Sequence, residues 1–163
     1  MERKVYYDKL QYNEGNILIA ATANGLCYVG SPDEGFEELE KRFPGARFQE
    51  NTAVLKPFMD EMAEYLEGSR TTFSMSFDVK GTPFQEAVWA ALKEIPYGKT
   101  CTYTEVAEKV GKPSAVRAVG TAIGANPVLI TVPCHRVIGK NGKITGYRGG
   151  IAMKQQLLEL ETR

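Results

Sequence analysis

Histidine and tryptophan occur once each in this 163-residue chain, cysteine three times, and the formal net charge is zero. No apolar run reaches the roughly 18 residues that cross a bilayer. The opening MERKVYYDKL carries no apolar core of a signal peptide. Cys27, Cys101 and Cys134 form no CxxC pair, which argues against a disulfide scaffold or a thiolate zinc site. One histidine cannot complete a tetrahedral ligand set. No metal and no cofactor are therefore expected, and a reducing cytoplasm is the expected compartment. Repeats and low-complexity segments are missing as well.

What the chain does have is enough apolar surface for a core, with 43% hydrophobic residues. Its zero net charge hides a division. Residues 1–78 carry 8 basic against 14 acidic side chains, a balance of −6, and residues 79–163 carry 12 against 6, a balance of +6. A basic half suits a polyanionic partner, and two unrelated solvated surfaces would give the same numbers.

The first half reads as α/β. Strands are expected over 4–10, 16–23 and 26–30, with Asn24-Gly25 as a type I′ hairpin turn between the last two. A helix over 31–43 is expected to open with Ser31 as N-cap, Pro32 in its first turn and Glu34 closing a capping box. A second helix over 54–66 should stop at Gly68. The alternation in 73-FSMSFDV-79 predicts a half-buried strand.

Past Gly81 the character becomes helical. Thr82-Pro83 starts a helix whose Phe84, Val88, Ala91, Leu92 and Ile95 recur at helical spacing. In 102-TYTEVAEKVG-111, Thr102 caps, Glu105 completes the box and Gly111 ends the helix. Ser114 then caps a helix running to Gly124. Segment 103–124 is thus a helix-turn-helix candidate or a plain helical hairpin. Asn141-Gly142 predicts a second I′ hairpin, between 136–140 and 143–147, and the last helix covers 151–161 with Met153, Leu157, Leu158 and Leu160 inward.

The stretch 131-TVPCHRVIG-139 sets Cys134 between a proline and the single histidine. A buried small hydrophobe is the ordinary role of such a cysteine. A nucleophile is the alternative: a free thiol ionises near about 8.5 and needs a base or positive field, which His135 and Arg136 could supply.

The run 126-NPVLITVPCHRVIGKNGKITGYRGG-150 closely resembles the active-site segment of the O6-alkylguanine-DNA alkyltransferases, the methylated-DNA–protein-cysteine methyltransferases. PCHRV is a highly specific core. The resemblance extends through 84-FQEAVWAALKEIPYGKTCTY-103, 117-RAVGTAIGANP-127 and 154-KQQLLELE-161, while the first half fits only in size and element order. It implies an α/β N-terminal domain of small sheet plus helices (1–78). A mostly helical, winged-helix-like C-terminal domain (79–163) would follow, bearing the helix-turn-helix, binding DNA and accepting the alkyl group.

Residue by residue, the resemblance makes Cys134 the alkyl acceptor in a relay from Glu161 to His135 and through a water to the thiol. Arg117 becomes the finger that enters the vacated base stack, and Tyr103 the group that crowds the target phosphate and donates to the leaving guanine. Asn126 would tie the helix-turn-helix to the active-site turn, and Tyr147 would wall the pocket. Carbonyls near Cys134 and Val137 would read the guanine amino group, with amides near Tyr147 and Arg148 facing O6. The small residues Ala115, Ala118, Gly120, Thr121, Ala122 and Gly124 would let their helix approach a minor groove.

The implied activity is single-use repair: irreversible transfer from O6-alkylguanine, and O4-alkylthymine, in double-stranded DNA after base flipping. No obligate protein partner is implied, and the chain would act as a monomer. Some relatives hold a structural zinc in the first domain, but this chain lacks the histidines for it. The competing functions are a lesion-binding protein without transfer, a cysteine hydrolase using Cys134 and His135, and a helix-turn-helix regulator.

Overall fold

The computed structural model describes residues 3–163, which divide into two compact units, 3–79 and 80–163. The first is built on a four-stranded sheet. Strands β1 (Lys4–Tyr12), β2 (Gly15–Thr22) and β3 (Gly25–Pro32) form an antiparallel meander, and β4 (Arg47–Glu50) adds parallel to β1, giving the order β3-β2-β1-β4. Successive side chains of β2 point to opposite faces. Ile17, Leu18, Ile19 and Ala20 are all buried, so both faces are covered. On one face Leu39 of α1 (Phe36–Arg42) joins Val5, Leu18, Ala20 and Tyr28, with Phe36 and Phe48 at the margin. Helix α2 (Thr52–Glu67), capped by Asn51 and ended by left-handed Gly68, packs on β1 and β2.

Several local expectations give way here. The turn before β3 consists of Ala23 and Asn24, with neither in the left-handed region, so it is not type I′. Gly25 has φ 146° and is required for close approach: a Cβ there would stand 2.7 Å from the Ser76 backbone. The first helix begins at Phe36 rather than Ser31, because β3 continues to Pro32 and Asp33 turns the chain at φ 60°. Ser31 and Glu34 do meet, but the hydroxyl and amide of Ser31 both donate to the Glu34 carboxylate. Residues 73–79 do not form a strand. Leu26 alone bridges to Phe77, through Leu26 N–H to Ser76 O at 3.0 Å and Asp78 N–H to Leu26 O at 2.8 Å. Strand β4 was not expected, since 47-RFQE-50 offers only Phe48 as an apolar signal.

The second unit is mostly helical. α3 (Pro83–Lys93) and α4 (Tyr103–Lys109) each begin with a complete capping box, Thr82 with Gln85 and Thr102 with Glu105. α5 (Val116–Gly124) packs against both. Its N-cap is Ala115, which makes no side-chain bond, so Ser114 is not the cap. Trp89 inserts under α5 and donates its indole N–H to Ala122 O at 2.8 Å. That contact places Ala122 in the core rather than on an outer face.

The chain then enters a buried turn over 125–136. Short strands β5 (Cys101–Thr102) and β6 (Val137–Ile138) pair in parallel and join its far end to the start of α4. Asn141 and Gly142 take φ 66° and 76°, as a I′ turn needs, but no ladder follows and 143–147 is not a strand. α6 (Ile151–Glu161) closes the unit with Met153, Lys154, Leu157, Leu160 and Glu161 buried, and Leu158 only half-buried.

Candidate active site

Proline 133 has no amide to donate, and the chain after it coils into a single 3₁₀ turn, Cys134–Arg136. All three side chains of that turn are buried. The turn is shaped by Asn126 at the end of α5. Its Nδ2 donates to Val132 O at 3.0 Å and to Cys134 Sγ at 3.3 Å, and its Oδ1 accepts from Val128 N–H at 3.0 Å. Between them Ile130 is held at φ 69°, a conformation a β-branched residue rarely takes and one that costs about 1–3 kcal/mol. One asparagine therefore fixes both a strained loop and the sulfur.

Arg148 reaches the same residue from the other side, with Nε and Nη2 donating to Asn126 O at 3.2 and 3.0 Å. Burial pushes the Cys134 thiol above its ordinary 9.0, while the Asn126 bond and the charges of Arg148 and Lys154 pull it down. The group rests as a thiol and needs a base to ionise.

An imidazole sits one residue on. His135 is fully buried, and its Nε2 lies 2.7 Å from Glu161 Oε2. Burial depresses the imidazole below its ordinary 6.5; Glu161 opposes the shift and Arg136 reinforces it. Arg136 grips the same carboxylate in a fork, Nε to Oε1 at 2.8 Å and Nη2 to Oε2 at 2.9 Å. Its Nη1 donates to Ile95 O at 2.7 Å, and the guanidinium carbon lies 5.6 Å from the Tyr97 ring centroid.

Lys154, also fully buried, donates to Val137 O at 2.6 Å, and Tyr103 Oη meets Thr145 Oγ1 at 2.7 Å. Lys154 was not expected in the site, and Arg136 was expected only as a source of base or positive field for the thiol, not as a partner of Glu161. Arg136 had a signal in its place beside His135. Lys154 had one in standing two helical turns before Glu161, on the same stripe of α6.

The structure thus gathers Cys134, His135, Glu161, Asn126, Val137 and Arg148 around one turn. The Val137 carbonyl expected to face a base already accepts from Lys154, and the Cys134 carbonyl accepts from Val137 N–H. Tyr147 is half-buried beside Gly149. Tyr103 stands between α5, where a Cβ added at Gly120 would lie 3.8 Å from its ring, and Thr145. Arg117, Ala118 and Thr121 form an exposed face of α5, with Ala115 and Gly120 half-buried at its edge.

Comparison with known proteins decides the family. Residues 83–163 match the model of the 6-O-methylguanine DNA methyltransferase DNA binding domain, and residues 5–79 match the ribonuclease-like domain of the same proteins. The chain belongs to the 6-O-methylguanine DNA methyltransferase family. A Bacillus subtilis relative, the inducible methylated-DNA–protein-cysteine methyltransferase, is 54% identical over 98% of this chain and 91% of its own length. A Methanosarcina acetivorans methyltransferase is 43% identical over 96% of this chain and 98% of its own. Among solved structures, Mycobacterium tuberculosis OGT in complex with DNA superposes with TM-score 0.84 at 37% identity, covering 98% of this chain and 92% of that one. As a member of the 6-O-methylguanine DNA methyltransferase family, the chain keeps a two-part build, a small sheet domain followed by a helical one.

Proposed function

We propose that this protein reverses alkylation damage directly, moving the alkyl group of O6-alkylguanine in double-stranded DNA onto Cys134. The observation that carries the proposal is the buried Cys134 thiol, fixed by Asn126 and followed by a histidine bonded to Glu161 at 2.7 Å. His135, working through a water, takes the thiol proton. The sulfur attacks the alkyl carbon, the carbon–O6 bond breaks, and its electron pair stays on the guanine, which takes up a proton from Tyr103. The product is a thioether, a poor leaving group with no proton to lose, so each molecule acts once. O4-alkylthymine presents the same kind of bond and is the second substrate.

The alkyl carbon is at the base edge inside the duplex, so the nucleotide must swing out, at a cost of a few kcal/mol. α4 and α5 carry the DNA contact, consistent with the basic balance of residues 79–163. The exposed Ala118 and Thr121 let α5 lie in the minor groove, and Arg117 fills the gap left by the base. The protein acts as a monomer.

Transfer of a labelled methyl group from duplex DNA, followed by peptide mapping, tests this. Label is expected on Cys134 alone, and Cys134→Ala should bind lesion DNA without accepting the group. Cys27 is buried with its thiol pushed up to about 12, and Cys101 has its thiol raised by burial and by Glu105. Label on either would overturn the assignment.

A further inference from the structure

We propose that Arg136 is a positioning residue for alkyl transfer: by gripping Glu161 it keeps His135 neutral, with its hydrogen on Nε2 and Nδ1 as the basic nitrogen. The inference rests on Cys134 being the acceptor and His135 its base. It begins with the fork between Arg136 and Glu161, whose bonds of 2.8 and 2.9 Å engage both carboxylate oxygens. A guanidinium remains protonated and only donates. Opposite it the carboxylate acts as acceptor, so the imidazole nitrogen 2.7 Å away, Nε2, must be the one bearing hydrogen. A neutral imidazole carries a single N–H, so Nδ1 is left with its lone pair.

Charge counting supports the same state. With His135 neutral, the buried Arg136–Glu161 pair sums to zero, whereas a protonated imidazole would leave a net positive charge among buried side chains. Lys154 of α6 and the guanidinium itself both oppose that proton, and Glu161 favours it. The end of α3 contributes Ile95 O to the Arg136 Nη1, while its Lys93 and Glu94 side chains are exposed. Removing the Arg136 charge would release Glu161 to stabilise imidazolium. A protonated His135 cannot accept the proton from Cys134 Sγ, whose bonding pair must stay on sulfur for attack. Arg136 thus trades basic strength for a base that is in its working form at neutral pH.

His135 is the chain's single histidine, so its NMR titration is free of overlap. Wild type should titrate below 6.5 with the Nε2–H tautomer. Arg136→Gln should raise that midpoint and move the acid limb of the transfer rate alkaline by the same amount. At a pH below both midpoints the variant should transfer about tenfold more slowly for every pH unit that separates them. Arg136→Lys, which keeps charge without the fork, should fall between the two. A purely structural role would lower the melting temperature of both variants and leave the His135 midpoint in place, and that result overturns the inference. Should Arg136→Gln fail to fold, the Lys variant decides, an unmoved midpoint again overturning it. If wild type transfers nothing, the assignment of Cys134 is wrong, and this inference falls with it even if the midpoint shifts; a shift absent alongside normal transfer refutes this inference alone.

Discussion

Asn126 does at residue scale what a metal or disulfide does elsewhere: it holds a strained turn and the Cys134 sulfur in one place. Asn126→Ala would strand the Val128 amide in a buried loop, while the Val132 carbonyl keeps its bond from Cys134 N–H. We expect a loss of about 1–3 kcal/mol in denaturant unfolding, from that one unsatisfied group. The same change removes a donor from Cys134 Sγ, so the thiol should ionise at higher pH, measurable as a later rise in its alkylation by iodoacetamide. Glu161→Gln should slow transfer strongly with little loss of DNA affinity. Combined with His135→Ala it should cost little more than the worse single change, because members of one relay are not additive. Fully additive losses would break the relay while leaving Cys134 a nucleophile.

Among the elements, α5 carries two faces that mutation can tell apart. Ala118 is exposed and Ala122 is buried under the Trp89 bond. Ala118→Glu should leave the melting temperature unchanged and weaken DNA binding at least tenfold in a fluorescence titration, whereas Ala122→Glu should unfold the unit. Thr102→Ala, which deletes the α4 cap, should cost about 1 kcal/mol in thermal melts. The start of α3 at Thr82-Pro83, the capping box of α4 and the limits of α6 were legible in the sequence because each depends on neighbours within a turn of helix. The start of α1 was not, since it is decided by β3 running on to Pro32 and by Asp33, whose carboxylate accepts from Asn16 N–H. β4 was hidden for the same reason: its strand character comes from the edge of β1, not from 47-RFQE-50. In the site, the cysteine, histidine and glutamate could be placed from PCHRV and the spacing to α6. The fork of Arg136 could not, because it needs the end of α6 folded back onto the turn.

For the whole molecule, stability should form a plateau in pH. An unfolded chain protonates His135 near 6.5 and the folded one resists, so stability falls as pH drops below that value. On the alkaline side unfolded thiols ionise near 9.0, whereas Cys27 holds its proton to about 12 and Cys134 is also raised, so stability falls again above 9.0. Lys154, depressed by burial, opposes part of that alkaline loss. Urea midpoints measured across pH 5 to 10.5 on the reduced protein would show both limbs or refute them. DNA affinity should fall linearly on a log–log plot against salt, with a slope of about 0.9 per phosphate neutralised. The crossing of Ser76 and Asp78 over Leu26 adds a constraint in time. Both backbone groups of Leu26 wait for partners that follow it by 50 and 52 positions. At about 5–20 residues per second a ribosome needs roughly 3–10 s to deliver them. Until then the edge of β3 next to Leu26 is open to any other strand in the cell. A chain stalled near residue 72 should therefore be digested by protease or held by a chaperone, and one released just past residue 79 should resist both.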